Sequence, residues 1–354
     1  MTDIISSAGD SAVDIWYTRC GAATASALAI RQQWLQAEFA QGGTVLHSLK
    51  DSDNIDIRNA HYNHKLTGLF REGGNIPPIW ARSHGADTAV IGITWLDEYQ
   101  GILTRADGGI REIADLRGKR LALPVHDNLI DFQRGAALHG FVTAFGLARL
   151  DPAEAVFVDV SAGAAGGLRT PGGLGAEAEA LLEGKVDAIF LRFARGLRIA
   201  RDPRFHEVIN INRHSDPLVR VNNGTPRPVT VDRPFLERHP DLVARYLAVL
   251  IRTANWAAEH HREVVDLLAA DSAGATAADV VASHGANVHR TFTPSLSADY
   301  VKGLEVQKNF LRDWNFLKSD FDIGDWIVPG PLAEAQALVD REPGLPHAAT
   351  ALAA

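Results

Sequence analysis

The chain has 354 residues, of which 46% are hydrophobic and 22% charged, and a formal net charge of −8. This is the composition of a soluble globular protein long enough for one large domain or two lobes, and the negative charge argues against nucleic acid or an anionic membrane as the main partner. The single cysteine, Cys20, excludes an intramolecular disulfide and thiolate-rich zinc or iron–sulfur centres.

The opening MTDIISSAGDSAVDIW has neither the basic region nor the apolar region of a secretory signal. No apolar run approaches the roughly 20 residues of a membrane span. A cytoplasmic protein is expected. In chain order, VDIWYT (13–18) reads as a first strand, 23–39 as a helix and GTVLHSL (43–49) as a second strand. DTAVIGITWL (87–96) and QGILTR (100–105) are two more. IREIADLRGKRLALP (110–124) turns a short helix through Gly118-Lys119 into the strand RLALP.

A helix over 132–145, the strand AVFVDV, a glycine-rich loop within 161–180, the helix AEAEALLEG and the strand VDAIFL follow. Val208–Asn212 closes this set, and RVNNGTPRPVTV (220–231) reads as a crossover into another strand. Beyond Pro234 the chain turns helical, with apolar residues at three- and four-residue spacing over 240–260 and a further helix over 298–314. Alternating strands and helices predict an α/β protein with mostly parallel sheets. The glycine-rich loop lacks the Lys-Ser/Thr ending of a phosphate loop, which argues against nucleotide binding.

The run DLRGKRLALP, then ALLEGKVDAIF, then LERHPDLVARYLAVLIRTANWAAEH resembles the type II periplasmic-binding-protein fold of nitrate-, sulfonate- and thiamine-precursor-binding proteins. The resemblance implies two α/β lobes with a ligand cleft between them. Residues 1–122 and 224–354 would form lobe I, and 123–223 lobe II.

Two stretches carry candidate chemistry. WYTRCGAATASALAI (16–30) places Cys20 after the first strand and before a helix, where helix N–H groups would favour negative charge. NAHYNHKLTGLFREGGNIPPIWARSHG (59–85) contains His61, His64, Arg71, Gly73 and Gly74. A cysteine after the first strand, a histidine ten residues before an arginine, then Gly-Gly and Ile-Pro-Pro resemble one enzyme branch of the fold, the 2'-hydroxybiphenyl-2-sulfinate desulfinases. The resemblance implies Cys20, His61 and Arg71 as the catalytic trio, with Gly74 beside them, and no cofactor.

The residue chemistry suits such a reaction. Arg71 offers a planar cationic fork to a two-oxygen anion, and the backbone at Gly73-Gly74 permits close approach. Cys20 could donate a proton as a thiol or attack sulfur as a thiolate, with His61 orienting or deprotonating it. His64, Trp16 and Asn223 are candidate substrate contacts, with Asn222 beside the last. His61 and His64 have the spacing of a helical metal pair, but no third ligand is evident, and no metal is expected. The expected function is a carbon–sulfur hydrolase acting on an aromatic or related sulfinate, a monomer whose partner is a small anion. The alternative is a non-catalytic solute-binding protein of the ABC-transporter type for an organosulfur or other small anionic ligand. A third relative of the fold, thiamine pyrimidine synthase, uses a cysteine-rich iron motif that this chain lacks.

Overall fold

Alternation sets the first strand. In the computed structural model, which describes residues 12–18, 23–40, 43–161, 173–272 and 274–346, strand β1 (Val13–Tyr17) buries Ile15 and Tyr17, exposes Asp14 and leaves Trp16 half-buried between the two core residues. Helices α1 (Ala25–Arg31) and α2 (Trp34–Phe39) follow. The single helix expected over 23–39 is broken at Gln33, whose left-handed φ of 59° redirects the chain so that Leu35 and Phe39 enter the core.

Next come β2 (Thr44–Ser48), α3 (Ile55–Asn63), β3 (Leu69–Glu72), α4 (Ile76–Ser83) and β4 (Thr88–Thr94). All seven residues of β4 are buried, as befits a strand covered on both faces. The chain then passes to β5 (Gln100–Arg105), β6 (Arg120–Val125), α5 (Phe132–Leu147), β7 (Val156–Ser161), α6 (Ala176–Leu182), β8 (Ile189–Arg192), α7 (Phe193–Ala200) and β9 (Phe205–Asn210). It returns through β10 (Arg227–Asp232) and ends in helices α8 (Arg233–Arg238), α9 (Pro240–Glu259), α10 (His261–Asp271), α11 (Ala277–His284), α12 (Ala298–Asp313), α13 (Ile323–Trp326) and α14 (Gly330–Arg341).

The strands sort into a five-stranded sheet of order β2-β1-β3-β10-β4, a three-stranded sheet β8-β5-β9 and the pair β6-β7. Two expectations change here. Strand β5 pairs with β8 and β9, so the first crossing between lobes lies before residue 100, not at 122; a strand belongs to the lobe whose hydrogen bonds it completes. The sheets are also mixed. β1–β2, β1–β3 and β6–β7 run parallel, but β10 is antiparallel to both β3 and β4, and β5 to both β8 and β9. β5 and β10 are the two strands that arrive from the other lobe. Neither is delivered by the βαβ crossover that enforces parallel pairing.

Both crossings meet at a buried ion cluster. The fully buried carboxylate of Glu98, between β4 and β5, accepts from Arg227 Nη2 of β10 at 3.1 Å and from Arg192 Nε of β8 at 2.7 Å. Arg227 also donates through Nε to the Gly224 carbonyl at 2.8 Å and through Nη1 to the Ala23 carbonyl. Gly224 has no room for a side chain: a Cβ there would lie 2.1–2.3 Å from the Glu98 carboxyl atoms. Removing one member of a buried charge pair typically costs about 3–5 kcal/mol because it strands the other. Glu98→Gln and Gly224→Ala are each expected to lower unfolding free energy by a loss in that range, read from urea denaturation. A Gly224→Ala protein as stable as wild type would mean that the cluster does not hold the crossings.

Candidate active site

Arg71 lies at the end of β3, paired with Thr230 of β10. Its side chain is buried, and its fork ties two segments together. Nε donates to the His61 carbonyl at 3.1 Å and Nη1 to the Gly74 carbonyl at 2.8 Å. The end of α3 and the β3–α4 turn are thereby clamped to one guanidinium. Gly74 meets the return crossover directly, since a Cβ on it would lie 2.7–2.9 Å from the Asn223 side-chain amide. Asn223 Oδ1 accepts from Ile76 N at 3.0 Å and its carbonyl accepts from Asn75 N at 2.8 Å. Asn222 Nδ2 reaches across to the Ala136 carbonyl of α5 at 3.1 Å. The segment read as a crossover thus fixes the β3–α4 turn.

Helix α3 starts at Asn54, whose side chain accepts from Asp56 N, and ends at His64, left-handed at φ 55°. His61 is half-buried and stands edge-on to Tyr62 at 4.9 Å. Tyr62 in turn stacks over Phe132 of the second lobe at 6.5 Å. His64 is buried, with Nε2 3.0 Å from Thr230 Oγ1 and no partner for Nδ1 among the described residues. Burial first, then the Arg71 guanidinium, pushes both imidazoles down to about 3. At neutral pH both are neutral, so neither is a proton donor of the imidazolium kind.

A cavity of about 330 Å³ opens between the lobes. Gly74, Asn223, Gly224 and Arg227 line one wall; Phe132, Leu174 and Phe190 give the other an apolar face, and Arg192 and Arg195 give it charge. Glu98 lies behind Gly224 with two guanidiniums on one carboxylate. An anion in the cleft meets an excess of positive charge within an acidic protein. Sequence reasoning reached Gly74 and Asn223 but not Arg192, Arg195 or Arg227. The signal available was the unusual run LRFARGLRIAR (191–201), with arginine at every third position.

Other expected positions fall elsewhere. Cys20 lies outside the described residues. Trp16 does not join the cleft: its ring stacks on His47 at 4.5 Å and packs in a satellite cluster with Leu49, Ala60 and Leu69. This is the face of the sheet under α3, to which a strand residue of that parity points. The N-terminus of α1, expected to favour an anion near Cys20, is already occupied. Glu72 accepts from Ala25 N at 3.3 Å and Ser26 N at 2.8 Å, and Ala27 N is capped by Thr24. Burial raises the Glu72 carboxyl against those same hydrogen bonds. Among the described residues no group of three or more His, Cys, Asp or Glu is arranged to hold a metal, and no helix is long and apolar enough to cross a membrane.

No protein-family model matches the chain. It is 26% identical over 307 residues to the 2'-hydroxybiphenyl-2-sulfinate desulfinase of Rhodococcus erythropolis, an overlap of 76% of this chain and 81% of that one. Among solved structures it resembles a cysteine-to-serine variant of the desulfinase DSZB in complex with biphenyl-2-sulfinic acid, with TM-score 0.71, 22% identity, and coverage of 92% of this chain and 99% of that one. It also resembles the periplasmic aliphatic sulphonate binding protein SsuA of Escherichia coli, with TM-score 0.63, 16% identity, and coverage of 90% and 98%. The fold is the two-lobed type II periplasmic-binding-protein fold, and the chain is a distant relative of the desulfinase.

The depressed imidazoles make stability depend on pH. His139, stacked on Phe310 at 4.0 Å and bonded to Gln307 at 3.1 Å, is also pushed down, by burial, to about 4. Below an unfolded value of 6.5 the unfolded chain binds protons that these native side chains do not. Their contribution is complete above that value and is lost on acidification, at up to about 1.4 kcal/mol per pH unit for each group. Urea unfolding is expected to show stability falling steadily from pH 6.5 towards 4. His139→Gln should make that slope shallower by about 1.4 kcal/mol per unit; an unchanged slope would mean that His139 protonates freely in the folded state.

Proposed function

We propose that this protein cleaves the carbon–sulfur bond of an aromatic or related sulfinate and releases sulfite, with Cys20, His61 and Arg71 at the reacting group and Gly74 and Asn223 beside it. The observation that carries the reading is the Arg71 clamp. One guanidinium holds the carbonyls of His61 and Gly74 together at 3.1 and 2.8 Å, beside a cationic cleft. It does so in a chain 26% identical to a sulfinate desulfinase. Ten residues separate His61 from Arg71, and within them α3 ends, the chain turns and β3 begins.

The state of His61 supports one of the two roles open to Cys20. An imidazole whose conjugate acid lies at about 3 is a poor base for a thiol with an ordinary value of about 8.5. An imidazolium beside Arg71 would also face like-charge repulsion. Cys20 therefore acts as a thiol. Its proton goes to the ring carbon bearing sulfur, the carbon–sulfur bond breaks, and sulfur dioxide leaves with the thiolate remaining. Water adds to sulfur dioxide to give hydrogensulfite and one proton, which restores the thiol. Neutral His61 serves by hydrogen bonding. Arg71 balances the sulfinate charge as the substrate docks.

A second reading, a solute-binding protein for a small organosulfur anion, is supported by the likeness to SsuA over 90% of the chain and by the cleft arginines. Sulfite release from a panel of arylsulfinates separates the two. In the desulfinase reading Cys20→Ser abolishes turnover while leaving sulfinate affinity within about threefold. Arg71→Ala loses both, since a charge-assisted contact is worth about 1.5–3 kcal/mol. Tight binding with no sulfite from any substrate would establish the binder. Because Cys20 must be protonated and His61 does not titrate near neutrality, kcat/KM is expected to stay level across pH 5.5–7.5 and to fall only on the alkaline side, as the thiol loses its proton. A falling acid limb between pH 6 and 7 would instead assign a charged-histidine step.

A further inference from the structure

Arginine recurs at 192, 195, 198 and 201, from the end of β8 along α7. Steps of three residues fall short of a 3.6-residue turn, so the four side chains wind around the helix instead of sharing a face. Each therefore meets a different environment. Arg192 reaches Glu98 in the cleft, and Arg195 lines the cleft. Arg198 donates to the Gly274 carbonyl at 2.6 Å, and Arg201, half-exposed, pairs with Asp279 of α11 at 2.7 Å. The series leads from the interior to the surface.

A second cavity, of about 190 Å³, lies along this path. Arg195, Arg198, Ser272 and His284 give it polar walls, and Ala23 closes one side. Phe193 and Arg195 line both cavities, so they form the partition between them. Phe193 holds a left-handed φ of 61°, uncommon for a bulky side chain. Its N–H donates to the Tyr99 carbonyl at 3.1 Å and its ring lies 4.5 Å below the Arg192 guanidinium. Asp271, also on the wall, is ion-paired with Arg31, so the adjacent charge is dominated by the two α7 guanidiniums. His284 gives Nδ1–H to the Asp97 carbonyl at 2.8 Å, which leaves Nε2 as its acceptor edge.

We propose that the side cavity is an oxyanion site, held by Arg195 and Arg198, that receives the sulfite released in the cleft and passes it along α7 to solvent. The identity of the anion rests on the desulfinase reading, but the cavity's preference for a small oxyanion does not. The assignment solves a chemical problem. A product that carries negative charge as the substrate does leaves slowly through a cleft whose arginines hold the substrate. A further guanidinium, Arg198, past one aromatic side chain offers it, together with the shared Arg195, a position outside the cleft. The neutral apolar product has no reason to follow and leaves by the cleft mouth.

Crystals soaked in selenite, a heavier anion of sulfite's shape, are expected to show anomalous density between the Arg195 and Arg198 side chains. Calorimetric titration with sodium sulfite should give an affinity that Arg198→Gln weakens about tenfold or more. The same variant should leave arylsulfinate affinity in the cleft within twofold. Arg198→Gln keeps a donor for the Gly274 carbonyl, and Arg198→Lys, which keeps the charge, should restore most of the sulfite affinity. In turnover, Arg198→Gln should lower kcat at least threefold with sulfite release slowed. Selenite only on the cleft arginines or nowhere, or sulfite affinity unchanged in Arg198→Gln, would overturn the proposal. Failure of every arylsulfinate to react would refute the desulfinase reading and leave the anion result standing by itself.

Discussion

A carboxylate in the interior is tolerated only when its charge is answered at close range, and Glu98 is answered twice. Desolvating an ion costs several kcal/mol after relaxation, so Arg192 and Arg227 cannot both leave it without destabilising the fold. Their positions explain why this matters. Arg227 begins the strand that returns from the second lobe, Arg192 ends a strand of that lobe, and Glu98 lies on the outward crossing. Three chain segments that diverge into different lobes are pinned at one point. The same contact leaves no space at Gly224, which presses the Asn222–Asn223 segment onto the β3–α4 turn. The site geometry is thus a consequence of how the crossings are fastened.

Two further buried groups show the same economy of charge. Glu72 occupies the N-terminus of α1 and satisfies N–H groups that would otherwise attract a ligand anion. Arg71 spends two of its donors on backbone carbonyls and is held rigid by them. Burial first, and then this fixed cation, hold the neighbouring histidines in the neutral form near neutral pH. An enzyme built here must move protons through a group that is neutral when protonated. A thiol meets that requirement and an imidazolium does not.

The sequence disclosed much of this unevenly. The strand at 13–17 and the helix at 240–259 followed from period alone. The His61–Arg71 pairing was legible through the resemblance to the desulfinases, and only the end of α3 and one turn separate the two residues. The direction of β5 and β10, and the lobe to which β5 belongs, are set by hydrogen bonds to strands far away in the sequence, such as Gln100 with Arg192 and Thr230 with Arg71, and no local pattern encodes them. Trp16 illustrates the limit at single-residue scale. Strand parity says it faces opposite to Tyr17, but whether that face opens to the cleft or is covered depends on where α3 packs. Arg192 and Arg227 were invisible for a related reason. An arginine in a sequence reads as surface, and only the approach of Glu98 from another segment turns each into part of a buried site.

The fold itself does not distinguish a carrier from a catalyst, since SsuA-like binders and the desulfinase share it. The distinction has to reside in what happens after an anion is bound. A carrier gains by making its cleft the deepest well available, and a turnover site loses by doing so, because the product is also an anion and the well holds it. Charge placed only in the cleft would favour the first. Charge placed also along α7, where Arg195 and Arg198 line the side cavity, instead gives an anion a position outside the cleft. Phe193, kept in a costly backbone conformation at the boundary, separates that position from the cleft. That arrangement suits a site that must release what it has formed.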